Sequence, residues 1–226
     1  MAGQHEKIDL KKLRVEQPWL IEEEAKRILS RPKNEQIEIV DQIVKSFKLK
    51  SEETRWVIGL LIEYLLDYDP CLVPHQIILD MAADRSFSVR SSAAVCLFKL
   101  SGVAPSEVPL DVLSRLASVD EDWYVYSPAL AALKVLSHKR PAAVGILVDM
   151  ISSEDINKIE MGLLSLLDVV RNDPDAVKPE TIQELEKHIG ELKEVTPESV
   201  KKSLEEIISL IQAKPSKSTV IRYSPF

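Results

Sequence analysis

Apolar residues recur along most of the chain at intervals of three and four, the spacing that places them on one face of an α-helix. The clearest example runs from Asp84 to Leu100, where four apolar residues share one face: Val89, Ala93, Leu97 and Leu100. Other apolar residues lie between them, so this helix is apolar nearly all round. A helix of this kind is expected to pack against neighbours on several sides.

The same pattern returns twice downstream. After 36 residues it is repeated at Asp120, Val125, Ala129, Leu133 and Leu136. A third copy follows after 34 more residues, at Glu154, Ile159, Leu163, Leu167 and Val170. A structural unit repeated at this period predicts helical hairpins that bury their apolar surface by stacking on one another.

Proline residues and helix-capping residues divide the chain into helices joined by short connections. A first helix is predicted from Pro18 to about Leu29. Pro128 lies inside a later helix, and it is expected to kink or delay that helix unless the helix starts near Ser127. The other helices form five predicted pairs: 34–47 with 51–68, 73–83 with 86–101, 109–117 with 122–137, 141–151 with 155–171, and 179–192 with 197–212.

These elements predict one domain over residues 1–212. It comprises an N-terminal cap at 1–33, core repeats at 34–171 and a charged C-terminal cap pair at 178–212. Residues 213–226 have no helical period and are predicted to form a flexible tail. The tail is either an untethered terminus or a docking segment, because it ends in a compact apolar group: Val220, Ile221, Tyr223 and Phe226.

The second helix of the central pairs carries a longer signature, D-x-x-x-x-V-R-x-x-A-A-x-x-L-x-x-L. Its best match is Asp84, Val89, Arg90, Ala93, Ala94, Leu97 and Leu100. Helix pairs at this interval with this signature resemble HEAT repeats, including the short variety found in bacterial and archaeal proteins. The resemblance covers residues 73–171 well. It implies an all-α fold, a right-handed α-solenoid of about five helical hairpins that form a HEAT-like superhelix.

In HEAT repeats the Asp and Arg of the signature typically form a ladder between adjacent repeats. The resemblance therefore implies an inter-repeat ladder of Asp84, Arg90 and Asp120, with Arg55 as a candidate for an earlier Arg. The next two copies depart from the signature, since Tyr126 and then Glu160 stand at the Arg90 position.

The resemblance also implies that the second helices line a concave face, whose exposed residues are the first candidates for contact with a partner. By register these candidates are Arg90, Ser91, Tyr126, Ser127, Lys134, Glu160, Met161 and Asp168. The residue at the Arg90 position changes from copy to copy while the apolar scaffold repeats. A surface fitted to one particular partner would vary in this way.

Composition supports a helical protein that is neither membrane-spanning nor secreted. Of the 226 residues 45% are hydrophobic, and only 5% are aromatic. No apolar run approaches the roughly 20 residues of a membrane span. The first residues are charged where a secretory signal needs an apolar centre. We therefore expect a soluble, cytoplasmic protein with no membrane association.

Candidate catalytic chemistry is missing from the sequence. His5, His75, His138 and His188 are scattered singly, without metal-ligand spacing. Only His5 is followed by Glu, so the several His-Glu pairs of the HEAT-like di-iron hydroxylases are not found. Neither a glycine-rich phosphate loop nor a Gly-x-Ser-x-Gly turn occurs. The sequence therefore predicts a protein that is not an enzyme and has no cofactor or metal.

Three functional hypotheses follow. The favoured one is a non-catalytic scaffold or adaptor that presents a concave helical groove to a protein partner. The second is a nucleic-acid module like the HEAT-like DNA glycosylases, which is disfavoured by a net charge of −7 and by Glu160 and Asp168 on the predicted face. The third is a chaperone like the bilin lyases, which nothing supports beyond the repeat. The oligomeric state is not predicted.

Overall fold

The computed structural model describes residues 10 and 13, residues 15–191 and residues 197–213. Over this part of the chain the secondary structure consists of α-helices, with two short 3-10 turns at Phe47–Leu49 and Pro70–Leu72 and no β-strand. The predicted all-α class is therefore confirmed. The apolar group of the tail, Val220, Ile221, Tyr223 and Phe226, lies outside the described residues.

The described helices agree with the predicted pairs to within two residues at each end. The first helix is α1 (Pro18–Leu29). The helices of the predicted pairs are α2 (Lys33–Ser46) and α3 (Glu52–Tyr68), α4 (His75–Ala82) and α5 (Phe87–Val103), α6 (Leu110–Ser118) and α7 (Trp123–Ser137), α8 (Pro141–Ile151) and α9 (Ile156–Asn172), and α10 (Pro179–Glu191) and α11 (Glu198–Gln212). The first pair differs from the prediction in its packing, because α2 packs mainly on α1 and on the 3-10 turns and not on α3.

The chain divides into two compact units, the first through Lys139 and the second from Arg140. In the first unit the second helices α3, α5 and α7 pack side by side, and α1 packs on α3. The first helices α4 and α6 pack on α5 and α7 respectively. In the second unit α8 and α11 both pack on α9. The single domain predicted over residues 1–212, with its caps at 1–33 and 178–212, stays a prediction.

Helix α5 is enclosed on several sides, as its apolar sequence predicted. It contacts α3, α4 and α7. Small residues permit the contact with α3, because a Cβ atom added to Gly59 would lie 2.7 Å from the Cβ of Ser92. The predicted face is buried at every position: Val89, Ala93, Leu97 and Leu100.

Helix α7 begins before its proline. Asp122 caps the helix by accepting a hydrogen bond of 2.9 Å from the backbone N–H of Tyr124. Pro128 lies inside the helix, so the alternative start near Ser127 is wrong. Because proline has no N–H, the carbonyl of Tyr124 loses its usual partner four residues later.

Two further observations limit the kinds of site that this fold can hold. None of the described helices combines the length and the apolar character needed to cross a membrane. Cys71 is exposed and Cys96 is buried, and both are free thiols.

Candidate functional site

A buried ion pair joins α3 to the connection between α4 and α5. Arg55 lies on the first turn of α3, and its Nε and Nη2 atoms donate to the two carboxylate oxygens of Asp84 at 2.6 and 2.9 Å. Its Nη1 donates to the carbonyl of Lys50 at 2.9 Å. Both charged side chains of the pair are less than one-tenth exposed. This bidentate geometry is typical of a strong Arg–carboxylate interaction.

The same arrangement recurs one repeat later. Nε and Nη2 of Arg90 lie 2.5 and 3.1 Å from the carboxylate oxygens of Asp120. Nη1 of Arg90 donates to the backbone carbonyls of Asp84 and Arg85. The predicted ladder residues are therefore close together, but the carboxylate of Asp84 pairs with Arg55, and Asp84 meets Arg90 only through its backbone. The signal for Arg55 was its position 35 residues before Arg90.

The pKa values follow from these contacts. Burial by itself raises the pKa of Asp84, but the hydrogen bonds from Arg55 and from the N–H of Ser86 outweigh it, so the pKa lies below its ordinary value. The hydrogen bond to Asp120 raises the pKa of Arg90. Both arginines remain charged, and their donors are directed into the repeat. Their geometry suits a structural role better than contact with a partner.

Four candidates for partner contact besides Arg90 lie in the first unit. Ser91, Ser127 and Lys134 are partly exposed on α5 and α7. Tyr126 is only 6% exposed, so the expectation that it is exposed is wrong. It stands at the register position of Arg90, which faces the repeat interior, and its ring packs edge-on against Trp123 with centroids 5.3 Å apart.

The remaining candidates lie on α9 in the second unit. Glu160, Met161 and Asp168 are all partly exposed there. Leu164 was not predicted, yet it is 52% exposed. It follows Met161 by three residues and precedes Asp168 by four, so the three share one side of the helix. Whether these residues contact a partner stays a prediction.

The packing of the first unit leaves one side of α3, α5 and α7 uncovered. Residues three, four and seven apart on each helix are exposed or half-buried there, while the opposite sides are buried. Hydrogen bonds join adjacent helices across this side, from Lys99 to Asp67 and to the carbonyl of Glu63, and from Ser91 to the carbonyl of Tyr124. We name it the second-helix face; it comprises Glu53, Trp56, Leu60, Glu63 and Asp67 of α3, Ser88, Ser91, Val95, Phe98 and Lys99 of α5, and Tyr124, Ser127, Ala131, Lys134 and Val135 of α7.

The second-helix face carries an apolar and aromatic group of side chains among its polar and charged residues. Phe98 is 41% exposed and Tyr124 is 69% exposed. Trp56, Leu60 and Val95 are half-buried on the same face. Sequence reasoning missed Val95 and Phe98 because apolar residues on the all-round apolar helix were assigned to the core. The spacing of Trp56, Leu60 and Glu63 on α3 was the available signal.

Charged groups cluster where α3 meets α5 on this face. Nζ of Lys99 donates to the backbone carbonyl of Glu63 at 2.9 Å and to the carboxylate of Asp67 at 2.7 Å. The carboxyl group of Glu63 is half-buried, and desolvation raises its pKa to about 7, although a hydrogen bond with Ser92 and the charge of Lys99 act in the opposite direction. Glu63 was not among the predicted site residues.

Metal-ligating side chains form no cluster in the part of the chain that the structure describes. There, no group of three or more His, Cys, Asp or Glu side chains is arranged to hold a metal ion.

Comparison with known proteins identifies the fold of this chain. No protein-family model and no curated protein sequence matches this chain. Among solved structures, the designed armadillo repeat protein YIII(Dq)4CqI is 16% identical, with 89% of this chain and 96% of that chain covered and a TM-score of 0.53. The chain has an armadillo-like helical repeat fold.

Two other solved structures with this repeat fold are designed proteins whose names mention peptides. The designed armadillo repeat protein YIII(Dq.V1)4CPAF, in complex with peptide (KR)4, is 16% identical over 89% of this chain and 96% of that one, with a TM-score of 0.55. Computationally designed armadillo repeat proteins for modular peptide recognition are matched at 15% identity over 85% and 92%, with a TM-score of 0.54. These matches support a helical repeat fold, and the HEAT subtype stays a prediction.

Proposed function

We propose that this protein is a non-catalytic scaffold that binds a segment of a partner protein on the second-helix face. The observation that carries the proposal is the apolar strip of Trp56, Leu60, Val95 and Phe98, which no described helix covers. Exposed aromatic and aliphatic side chains grouped on one surface are typical of interaction sites. Two of the matched designed proteins are named for peptide binding or peptide recognition, which supports a peptide as the occupant.

The charges on the second-helix face favour a protein partner over a nucleic acid. The face carries the cations Lys99 and Lys134 and the acids Glu53, Glu63 and Asp67, and Lys99 is already bound to Asp67. Phosphate backbones require clustered lysine and arginine side chains that are free to bind. No specific observation favours a DNA glycosylase or a bilin lyase. The free thiols of Cys71 and Cys96 fit a soluble protein of the reducing cytoplasm, which we propose as its location.

Selection from a random dodecapeptide phage library tests the proposal. We expect peptides whose affinity, measured by isothermal titration calorimetry, falls about tenfold in Phe98→Ala and in Trp56→Ala, because each removes an anchor from the strip. Leu49→Ala is the matched control, since Leu49 is 87% exposed in the turn before α3 and lies off the face. Circular dichroism establishes that each variant is folded.

Two results would overturn this function. One is a selection that yields no peptide with measurable affinity. The other is a set of peptides that bind wild type and both face variants equally while Leu49→Ala weakens them.

A further inference from the structure

We propose that the second-helix face receives a lysine or arginine side chain of the partner, with the cationic group placed against the carboxyl group of Glu63. This inference rests on the proposed function and adds the chemistry of the bound segment. It also makes Glu63 the residue that determines the charge selectivity of the face.

Glu63 lies between two closely packed helices. Glu63 lies at the seam between α3 and α5, one turn after Gly59, where the two helices approach closely enough to crowd a Cβ atom against Ser92. Leu60 is one helical turn before it on the same stripe. Glu63 is half-buried on this seam, so its carboxyl group lies at the floor of the face and not at its edge.

The carboxylate of Glu63 forms no ion pair with a cation in the described part of the chain. Lys99 is the neighbouring cation, but its Nζ binds the backbone carbonyl of Glu63 and the carboxylate of Asp67. Within the described chain, no Lys, Arg or His nitrogen forms an ion pair of 4.0 Å or less with the carboxylate of Glu63. The exposed acid Asp67 on this seam therefore has a cationic partner, and the half-buried Glu63 does not.

Desolvation makes the carboxyl group of Glu63 selective for a cation. Within the described residues, the charged groups that act on Glu63 are Lys99 of α5 and Asp67 of α3, and their effects oppose each other. The thiol of Cys96 also faces Glu63, but burial raises the pKa of that thiol and keeps it neutral. An arriving ammonium or guanidinium group interacts more strongly with a partly desolvated carboxylate than with an exposed one.

The apolar neighbours complete the site. Leu60 lies one turn before Glu63 on α3 and Val95 one turn before Lys99 on α5, and with the exposed Phe98 they present hydrocarbon surface on the same face. The aliphatic stems of lysine and arginine pack on such surface while their heads remain at a polar group. A carboxyl floor with apolar walls thus fits a long cationic side chain. It fits neither an acidic peptide nor a phosphate group.

Fluorescein-labelled octalysine is a suitable probe, and fluorescence anisotropy in 150 mM NaCl measures its affinity. With a pKa of about 7, roughly one-tenth of Glu63 is ionised at pH 6 and roughly nine-tenths at pH 8. We expect wild-type affinity to rise about tenfold between these pH values, since the ionised form binds the cation. Glu63→Gln is expected to lose about tenfold in affinity at pH 8 and to show no rise with pH.

Two further variants make the test specific. Glu53→Gln is the matched control, because Glu53 is exposed on the same stripe of α3, and we expect its affinity to change less than about twofold. Lys99→Met releases the carboxylate of Asp67 beside Glu63, so it is expected to bind octalysine more tightly than wild type.

Equal affinities of wild type and Glu63→Gln at pH 8 would overturn the inference, as would an equal loss in Glu53→Gln. If wild type does not bind octalysine but phage-selected uncharged peptides bind in a manner that requires Phe98, the inference fails and the proposed function stands. If neither probe binds, the proposed function fails. Thermal unfolding by circular dichroism at pH 8 shows whether Glu63→Gln is folded, and glutamine is expected to be tolerated because it preserves the shape of the side chain.

Discussion

The hydroxyl group of Ser91 donates a hydrogen bond of 2.8 Å to the backbone carbonyl of Tyr124. This carbonyl is the one that Pro128, four residues later, leaves without its helical donor. A side chain of α5 thereby satisfies a backbone group of α7 where these two helices pack side by side. Ser91 was predicted to face a partner, and this bond gives it a structural partner as well.

Ser91→Ala is expected to lower the free energy of unfolding by about 1 kcal/mol, because the Tyr124 carbonyl loses its donor. In a Pro128→Ala background the new N–H of residue 128 binds this carbonyl, so the same Ser91→Ala change is expected to cost less. Urea unfolding of the four proteins in this cycle measures the coupling. Ser127→Ala is the control, with an expected change below about 0.5 kcal/mol. Equal costs in both backgrounds would contradict this account of the proline.

Arg55→Ala is expected to lower the free energy of unfolding by about 3–5 kcal/mol, since it leaves the buried carboxylate of Asp84 without its partner. Lys26→Ala, which removes an exposed pair with Glu22, is the control and is expected to have little effect. Chemical denaturation at pH 7 measures both. A cost for Arg55→Ala as small as that of the control would show that the pair does not stabilise the repeat.

The same pair predicts how stability changes in acid. The folded pKa of Asp84 lies below its ordinary value, so its stabilising contribution is fully present above the unfolded pKa of about 4 and is lost as the pH falls through the folded pKa. Asp84→Asn is expected to remove this part of the acid dependence. Unfolding measured from pH 7 down to pH 2 would contradict the prediction if the variant and wild type lost stability in parallel.

Glu63 predicts a pH dependence of opposite sign. Its folded pKa of about 7 lies above the ordinary value, so its contribution is present below about pH 4 and is lost as the pH rises through 7. Glu63→Gln is therefore expected to be more stable than wild type at pH 8, by on the order of 1–3 kcal/mol, and similar to it at pH 4. Parallel stability curves for the two proteins from pH 4 to pH 8 would contradict this assignment.

Gly59→Ala is expected to destabilise the first unit by about 1–3 kcal/mol, because the new Cβ atom would overlap Ser92. The crowding distances are 2.7 Å to the Cβ and 2.9 Å to the Oγ of Ser92. Ser92→Gly in the same protein makes room and is expected to recover part of the loss. Gly102→Ala is the matched control, since nothing lies within 4 Å of its added Cβ, and alanine is expected to stabilise α5 by up to about 1 kcal/mol. Thermal unfolding distinguishes these outcomes.

The helices themselves were predictable because local rules determine them. Apolar residues spaced by three and four, and caps such as Ser51 and Asp122, mark the helices wherever they lie. The repeat of Asp84 at Asp120 likewise located the second helices without any knowledge of their packing. The solved structures with the same fold share only about one-sixth of their residues with this chain, which shows how little of the fold depends on particular side chains.

The partners of charged side chains and the exposure of apolar ones were less predictable, because both depend on residues distant in sequence. The partner of Asp84 is Arg55, which lies 29 residues earlier and carries no signature of its own beyond spacing. Tyr126 takes the register position of an arginine that faces the repeat, so it is buried. Phenylalanine is a residue type typical of the core, yet no described helix covers Phe98. Periodicity identifies a face of a helix but does not say whether another helix lies against it.

The sequence by itself therefore determined the helix boundaries and the repeat, because these follow from local propensity and apolar period. Only the tertiary structure decided which carboxylate each arginine binds and which apolar side chains remain exposed. It also decided that Glu63 lies on a seam without a counter-ion. Side-by-side packing of α3, α5 and α7 sets these properties, since burial and charge pairing depend on the distances between helices and not on the spacing within one.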